Sequence, residues 1–401
     1  MTSEWHEVPL RELVGYISKG IAPSYAEEAS ETTIRVLNQK CNRNFRISYG
    51  DSRLHDTLKK KVPPERYVKP DDILINSTGA GTAGRIAQIE DVPSTTTIDG
   101  HMILIRSNGK VTQKFLGYAL KAHQWEVLQL DEGSTGQTEL NRDRLLDEIM
   151  INYPVSLDEQ NAIVGTLESI DRKLIVNEQL NDNLEQQAQA FFQELFVDNA
   201  DPEWAIGTIS DLGAVVGGST PSKAKPEYYT ETGIAWITPK DLSVNKSKFI
   251  SHGENDITEL GLKNSSATIM PEGTVLFSSR APIGYIAVAA GEVTTNQGFK
   301  SIVPKPEIGT AFVYYFLKHN LPIIEGMASG STFKEVSGST MKGVPAVIPD
   351  TDTIARFNDF CSPIFAQQRI LEEQNQSLAA LRDDLLPKLM SGEIDVSAIQ
   401  L

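Results

Sequence analysis

Polar and basic side chains recur in glycine-, serine- and threonine-rich turns in both halves of this sequence. Arginine can hold guanine through two hydrogen bonds and asparagine or glutamine can hold adenine, whereas serine, threonine and lysine more often hold phosphates. These residue types in repeated turns predict contact with nucleic acid. The candidates in the first half are Lys40, Arg43, Arg46, Asn76, Ser77, Thr78, Arg85, Ser134, Thr135 and Gln137. The candidates in the second half are Ser219, Thr220, Lys223, Lys240, Ser278, Ser279, Arg280, Tyr285, Ser331, Thr332 and Lys334.

Two glycine-rich motifs invite a nucleotide-binding interpretation, and both fail on their context. Gly79, Gly81 and Gly84 have the spacing of a dinucleotide-binding loop, but the sequence after Gly84 continues as a strand pattern and no helix begins there. Residues 217–223 lack the Gly-Lys-Ser/Thr ending of a phosphate-binding loop. We interpret both stretches as turns and expect no cofactor.

Catalytic and metal sites are not predicted either. Asp171 and Lys173 have the Asp-x-Lys spacing of some nucleases, but they fall in a long helical pattern with no strand to carry a second carboxylate. The six histidines share no ligand spacing, and the two cysteines, Cys41 and Cys361, are too few and too scattered for a zinc site or a disulfide framework. The expectation is a chain without enzymatic activity and without a metal.

The net charge of −16 is unevenly distributed. Residues 1–150 hold 19 basic and 21 acidic residues, and residues 203–347 hold 12 and 13, so both stretches are nearly neutral. Residues 151–202 hold two basic and ten acidic residues, and residues 348–401 hold four and nine. Within the first half, residues 35–69 hold ten basic and three acidic residues, which suits a phosphate backbone.

Two heptad patterns must position these turns. In residues 157–197 and again near the C-terminus, apolar residues recur at seven-residue spacing, which predicts two long helices that bury a narrow stripe against each other. Pro363 lies inside the second pattern and predicts a kink or a new helix start. The predicted helix–helix seam consists of Ile163, Leu167, Ile170, Leu174, Asn177, Asn181, Leu184, Phe191, Leu195, Phe357, Ile364, Leu371, Leu378, Leu381 and Leu385.

The chain repeats itself at an offset of 195 to 201 residues. Trp5 is matched by Trp204, Pro70 by Pro271, and Gly84 by Gly284, while Gly-Ser-Thr recurs at 133 and 330. Strand patterns at 72–76, 85–89 and 102–106 are matched at 274–278, 285–289 and 300–303, and helical patches at 115–130 and 311–321 follow. This regularity predicts one unit of about 200 residues used twice, with divergent loops suited to two different targets.

Several stretches resemble one protein family. Residues 133–174 resemble the junction of target-recognition domain and spacer helix in the DNA-specificity subunit of type I restriction-modification systems, and residues 378–396 resemble the C-terminal signature of that family. The turn at 217–221 (GGSTP) resembles the start of a recognition domain. With the duplication, the resemblance covers essentially the whole chain.

The resemblance implies a fold, a function and partners. The fold would be α+β, with two similar recognition globules separated by two long helices in an antiparallel coiled coil, related by a pseudo-twofold internal repeat. The chain would read a bipartite double-stranded DNA site without being an enzyme, and it would bind two DNA methyltransferase subunits and restriction/translocase subunits. The expected division is 1–153 and 201–348 for the recognition domains, with 154–200 and 349–401 for the helices and tail.

The sequence predicts a cellular location and allows two other functions. The N-terminus has no signal-peptide pattern and no apolar run approaches about 18 residues, so no membrane partner and a cytoplasmic location are expected. One alternative is a protein-interaction scaffold whose globules bind peptides or proteins, which the acidic balance allows. Another is a hydrolase with a site assembled between the halves.

Overall fold

The computed structural model describes residues 4–132, 139–330 and 334–396. The chain divides into two compact units, unit 1 with Met1–Lys173 and Leu378–Leu401, and unit 2 with Leu174–Ser377. Both long helices contribute to both units, because the division falls within each helix.

Unit 1 combines two four-stranded sheets with short helices. Its strands are β1 (Trp5–Pro9), β2 (Val14–Lys19), β3 (Tyr25–Ala26), β4 (Thr33–Leu37), β5 (Asn42–Arg43), β6 (Arg46–Ile47), β7 (Arg53–Asp56), β8 (Ile73–Asn76), β9 (Ile86–Gln88), β10 (Thr96–Ile98), β11 (Met102–Ser107), β12 (Asp131–Glu132), β13 (Glu139–Leu140) and β14 (Met150–Pro154). Its helices are α1 (Gln113–Ala122), α2 (Gln124–Leu128), α3 (Arg142–Glu148) and the first part of α4 (Leu157–Gln193). The sheet orders are β2-β11-β8-β9 and β10-β4-β7-β3, and β1 pairs with β14.

Unit 2 has the same plan. Its strands are β15 (Ala205–Thr208), β16 (Gly213–Gly217), β17 (Tyr229–Thr230), β18 (Ile234–Ile237), β19 (Phe249–Ile250), β20 (Asn255–Ile257), β21 (Val275–Ser279), β22 (Ile283–Ala289), β23 (Thr294–Thr295), β24 (Lys300–Pro304) and β25 (Pro345–Ile348). Its helices are α5 (Ile209–Leu212), α6 (Pro239–Val244), α7 (Glu259–Lys263), α8 (Thr310–His319), α9 (Leu321–Gly326), α10 (Gly338–Lys342) and most of α11 (Thr351–Met390). The sheet orders are β16-β24-β21-β22-β19 and β17-β20-β18-β23, and β15 pairs with β25.

The two units share one strand topology. The order β2-β11-β8-β9 corresponds to β16-β24-β21-β22, and the order β3-β7-β4-β10 corresponds to β17-β20-β18-β23. In the second sheet of each unit, the last strand pairs in parallel with its neighbour, β10 with β4 and β23 with β18. The predicted α+β class and the duplication are confirmed, and all six predicted strands occur within two residues of their expected bounds.

Local sequence explains the elements that carry the candidate site. The first three residues of strand β8, Ile73 to Ile75, are apolar and fully buried, and the strand lies between β11 and β9. Helix α1 begins after Thr112, whose hydroxyl accepts a hydrogen bond from the backbone N–H of Phe115 at 3.2 Å. Helix α11 begins after Asp350, which accepts from the N–H of Thr353 at 2.8 Å.

The long helices pair through the predicted stripe. In unit 2 the amide of Asn375 donates to the carbonyl of Leu174 at 3.4 Å, Asn181 donates to Glu372 at 3.4 Å, and the rings of Phe191 and Phe360 lie 4.5 Å apart. Rising numbers on α4 therefore meet falling numbers on α11, so the pairing is antiparallel. Fully buried seam residues are Ile163, Leu167, Ile170, Leu174, Asn177, Leu195, Phe357, Ile364 and Leu371; half-buried ones are Asn181, Leu184, Phe191, Leu378 and Leu385.

Leu381 corrects the predicted seam, since 48% of its surface is exposed. The second column of α11 lies one residue further on than predicted: Cys361, Gln368 and Leu389 are buried, and Asn375 and Arg382 are half-buried. Phe360 and Leu381 indicated the wrong column because both are apolar and lie at heptad spacing. The structure instead gives the polar members of the true column hydrogen-bond partners, which makes their burial tolerable.

Pro363 does not start a new helix, because α11 is continuous from Thr351 to Met390. The ring lies on the exposed side of the helix. A proline inside a helix removes one backbone hydrogen bond, and here the packing of Phe357, Ile364 and Leu371 on either side of Pro363 holds the helix together.

Candidate nucleic-acid interface

In unit 1 the basic segment and the turn between β8 and β9 are joined by two buried asparagines. The amide of Asn42 donates to Asn76 Oδ1 at 3.2 Å and to the carbonyl of Arg85 at 2.8 Å. The amide of Asn76 donates to the carbonyl of Gln39 at 3.1 Å. These bonds bring residues 39–47 against the turn, so Lys40, Arg43 and Arg46 share one region with Thr78 and Arg85.

The candidate side chains in this region are accessible. Lys40 and Arg43 are exposed, and Arg46, Thr78 and Arg85 are half-buried. The Arg43 guanidinium lies 3.8 Å from Asp51, and Arg85 donates to the carbonyl of Gly81 at 3.0 Å. Neither contact consumes all the donors of a guanidinium, which has five N–H groups.

Four candidates are buried and hold the turns instead of facing outward: Asn76, Ser77, Ser278 and Ser279. Ser77 donates to the carbonyl of Gly100 at 3.3 Å, and Ser279 donates to the carbonyl of Gly298 at 3.0 Å. Ser278 accepts from the N–H of Tyr285 at 2.7 Å and donates to the carbonyl of Pro282 at 2.8 Å. This burial corrects the prediction that these four side chains contact nucleic acid directly.

Gly84 shows why this stretch is a turn. It has φ +83°, and a Cβ atom there would lie 2.9 Å from the carbonyl oxygen of Val127. Its counterpart Gly284 has φ +93°. The chain enters strand β9 two residues after Gly84, so no helix N-terminus is available for a pyrophosphate.

In unit 2 the equivalent turn meets the loop that follows β23. Thr220 is hydrogen-bonded to Gln297, and the indole of Trp236 donates to the carbonyl of Ser219 at 3.0 Å. The N–H of Ser279 donates to the carbonyl of Gly298 at 2.7 Å, and Arg280 lies 3.4 Å from Glu335. The N–H of Ser219 donates to the carbonyl of Thr295 at 2.9 Å, and Glu335 also pairs with Lys300 at 3.5 Å. Ser219, Thr220 and Arg280 therefore lie near residues 295–300, and each is half-buried.

The other second-half candidates are dispersed. Lys223 and Lys334 are exposed. Lys240 is paired with Glu254 at 2.5 Å, and this hydrogen bond raises the pKa of Lys240. Tyr285 is half-buried, with the Lys246 ammonium 4.7 Å from its ring centre. Ser134, Thr135, Gln137, Ser331 and Thr332 lie outside the described residues.

Both units place beside the turn a loop whose exposed residues are not among the predicted candidates. Thr96 and Thr97 precede Gly100 in unit 1, and Thr294 and Thr295 precede Gly298 in unit 2, so Thr-Thr-x-x-Gly recurs at an offset of 198. Both pairs of threonines are buried in strands. The loops expose His101, which is hydrogen-bonded to Thr78 at 2.7 Å, and Gln297.

The sequence predicts no metal site, and the side chains of the described part of the chain bear on metal binding and on thiol chemistry. Within residues 4–132, 139–330 and 334–396, no cluster of three or more His, Cys, Asp or Glu side chains could hold a metal ion. Cys41 and Cys361 are buried thiols, and burial raises the pKa of both, which disfavours the thiolate. Among the helices of these residues, none is both long and apolar enough to cross a membrane.

The family model, the sequence relatives and the structural neighbour that match this chain all carry the name of the same family. A family model described as "Type I restriction modification DNA specificity domain" matches residues 2–186 and 202–380. The type I restriction enzyme MjaIX specificity subunit of Methanocaldococcus jannaschii is 39% identical over 191 residues, which cover 45% of this chain and 44% of that protein. The match thus spans less than half the length of that relative.

Two further proteins are similar along nearly the whole chain. The putative type I restriction enzyme MjaX specificity subunit of M. jannaschii is 19% identical over 419 residues, covering 98% of this chain and 94% of that protein. The crystal structure of a type I restriction-modification system S subunit from M. genitalium has a TM-score of 0.61 at 17% identity, covering 97% and 96% of the two chains. This last similarity shows a shared fold.

Proposed function

The chain belongs to the type I restriction modification DNA specificity family, and on that premise we propose that it is the DNA sequence-specificity subunit of a type I restriction-modification complex. Each of its two globules would read one part of a bipartite site in double-stranded DNA. The observation that carries this proposal is that one strand topology occurs twice with different side chains at the equivalent turns.

The differences between the turns support two separate targets. In unit 1 the turn presents Thr78 and Arg85 beside a basic segment. In unit 2 it presents Arg280, and the neighbouring loop, which is hydrogen-bonded to Ser279, exposes Gln297. Arginine to guanine and glutamine to adenine are the common bidentate base contacts. Two readers with unequal donors and acceptors suit a site whose two parts differ in sequence.

The proposal extends to partners and division of labour. Two DNA methyltransferase subunits and the restriction/translocase subunits would bind the chain and supply the chemistry, and the chain itself would be non-catalytic. The recognition domains would be 1–153 and 201–348, and the acidic stretches 154–200 and 349–401 would repel DNA and leave it to the globules. A cytoplasmic location, where DNA and these partners meet, is part of the proposal.

Selection from a random duplex DNA library tests the function. The chain, with and without a partner methyltransferase, is expected to enrich one motif of two fixed parts separated by a fixed number of unspecified base pairs. Enrichment of no motif would contradict the proposal and favour the protein-interaction scaffold. Turnover of a substrate by the purified chain alone would favour the hydrolase.

Arg280→Ala is expected to weaken recognition of one half-site only. Loss of one base-reading or phosphate-binding arginine costs about 1–3 kcal/mol, or roughly ten- to hundredfold in affinity. Competition binding with duplexes altered in either half-site measures the effect. Lys263→Ala, which removes an exposed charge from α7 in the same unit, is the control, and equal loss at both half-sites for Arg280→Ala would contradict the assignment.

A further inference from the structure

In unit 1 the long helix α4 holds the globule through one buried carboxylate. Asp171 accepts a hydrogen bond from the hydroxyl of Tyr118 at 2.8 Å and pairs with Lys121 at 3.2 Å, both on α1. Arg382 of α11 lies 3.2 Å from the other carboxylate oxygen. The side chains of Asp171, Lys121 and Arg382 are only 20%, 11% and 17% exposed, so solvent screens these contacts weakly.

Unit 2 repeats this arrangement on the same helix. Glu185 of α4 accepts from the hydroxyl of Tyr315 at 2.8 Å and from Lys318 at 2.6 Å, both on α8. The tyrosine and lysine are the sixth and ninth residues of α8, as Tyr118 and Lys121 are of α1. The same tyrosine and lysine pair therefore contacts α4 from equal helix positions in both units.

In unit 2 the second cation beside the carboxylate comes from the globule and not from α11. The Lys248 ammonium is ion-paired with Glu185 and donates to Gln368 of α11 at 2.5 Å, and its side chain is 5% exposed. Gln368 in turn donates to Glu185 at 3.4 Å. Gln368 of α11 therefore donates to Glu185 as Arg382 of α11 donates to Asp171.

Electrostatics keep both carboxylates charged at neutral pH. Burial acts to raise the pKa of Asp171, but Lys121, Tyr118 and Arg382 outweigh it and lower the pKa. Burial acts likewise on Glu185, and the charges and hydrogen bonds of Lys248 and Lys318 hold its pKa at about 2. Charged hydrogen bonds are directional, whereas the apolar contacts between the same helices are not, so these clusters define orientation.

In unit 1 the held helix is connected to the turn that carries the DNA-reading candidates. Gln124, in the helix after α1, accepts from the N–H of Ile86 at 2.9 Å and donates to the carbonyl of Gly84 at 2.8 Å. Gln88 of β9 donates to the carbonyl of Gln113, the first residue of α1, at 3.0 Å. A rotation of α1 on α4 would therefore move the turn.

In unit 2 the connection runs through both edges of the turn. Thr310, the first residue of α8, donates to the carbonyl of Gly273 just before β21 at 2.8 Å. The carbonyl of Lys248 accepts from the N–H of Val288 in β22 at 2.7 Å. The strands on either side of Arg280 are thus connected by hydrogen bonds to Lys248, which contacts Glu185, and to the first residue of α8, the helix that carries Tyr315 and Lys318.

We propose that Asp171 and Glu185 are positioning residues that fix each globule on α4 and thereby restrict the spacing between the two DNA half-sites that the chain accepts. This inference rests on the proposed function. The residues do not contact DNA; they act through the helices that carry the reading turns. Weakening either cluster should leave the half-site sequences unchanged and relax the spacing.

Binding to duplexes with altered spacing tests the proposal. The probes are the motif enriched by the wild-type chain and the same duplex with one base pair added to or removed from the unspecified region. Tyr118→Phe and Tyr315→Phe remove one hydroxyl each and keep the buried rings, so folding should persist; Asp171→Asn and Glu185→Gln are the stronger variants. Asp182→Asn, exposed on α4, is the matched control.

The expected result is that each cluster variant discriminates against altered spacing about tenfold less well than the wild-type chain, with the same preferred bases in both half-sites. Asp182→Asn should retain the wild-type discrimination. Unchanged spacing discrimination in cluster variants that melt cooperatively would overturn the inference and leave the proposed function standing. Absence of any two-part motif for the wild-type chain would overturn the proposed function itself, and the inference with it.

Discussion

Replacing Phe357 with alanine is expected to lower the free energy of unfolding of unit 2 by about 3–5 kcal/mol. Phe357 is fully buried, and its ring centre lies 5.2 Å from that of Phe196, 5.7 Å from Phe192 and 6.0 Å from both Phe191 and Tyr315. Removing it leaves a cavity at the point where α4, α8 and α11 meet, and the surrounding rings cannot collapse into it without losing their own contacts.

Phe360→Ala is the matched control, because Phe360 lies on the same helix and is 39% exposed. It contacts Phe191 at 4.5 Å, so a smaller loss of about 1 kcal/mol is expected. Chemical denaturation followed by circular dichroism measures both variants. Equal losses of unfolding free energy for the two variants would contradict the burial of Phe357 and the exposure of Phe360 on α11.

Replacing Glu185 with glutamine is expected to cost about 3 kcal/mol at neutral pH. The substitution leaves Lys248, which is 5% exposed, without its carboxylate. It also replaces one of the two oxygens that accept from Tyr315 and Lys318 with an amide nitrogen, which cannot accept. Burial already lowers the pKa of Lys248, and the charge of Glu185 only partly offsets that effect. Denaturation of Glu185→Gln and of the control Asp182→Asn, both against the wild-type chain, measures the loss.

The pH dependence of this loss has a definite sign. Glu185 has its pKa lowered from 4.5 to about 2 in the folded chain, so its stabilising contribution is fully present above pH 4.5 and disappears as the pH falls toward 2. The ionisable groups that interact with it include Lys248, Lys318, Tyr314, Tyr315 and Cys361, and Glu372 interacts with Lys248. The difference in unfolding free energy between wild type and Glu185→Gln should therefore shrink below pH 4.5. A difference that stays constant down to about pH 3 would contradict the assignment.

The sequence predicts the repeat and the long helices well because both produce patterns over many residues. Seven-residue spacing from Ile163 to Leu195 indicates one buried face, and landmarks such as Gly84 and Gly284 occupy turns that require positive φ. The companion column of α11 is different. Gln368 and Arg382 are polar in sequence, and only the structure shows that Glu185 and Asp171 supply the partners that permit their burial.

The candidate site is less predictable than the fold. A serine in a turn has the same sequence signature whether its hydroxyl faces solvent or, as for Ser77 and Ser279, a carbonyl inside the unit. Gln297 has a sequence signal only through the Thr-Thr-x-x-Gly repeat that the two halves share. That repeat was visible in the sequence, whereas the burial of the serines depended on loops distant in the chain.

The matching positions of Tyr118 and Tyr315, and of Lys121 and Lys318, bear on the construction of chimaeras. A recognition globule transplanted from another protein would meet on α4 a carboxylate whose side chain is shorter at 171 than at 185. To pack on α4 in the same way, the transplanted globule needs a tyrosine hydroxyl and a lysine ammonium at the sixth and ninth residues of the helix that contacts α4. That requirement gives a simple rule for choosing donors when new pairings of recognition globules are assembled.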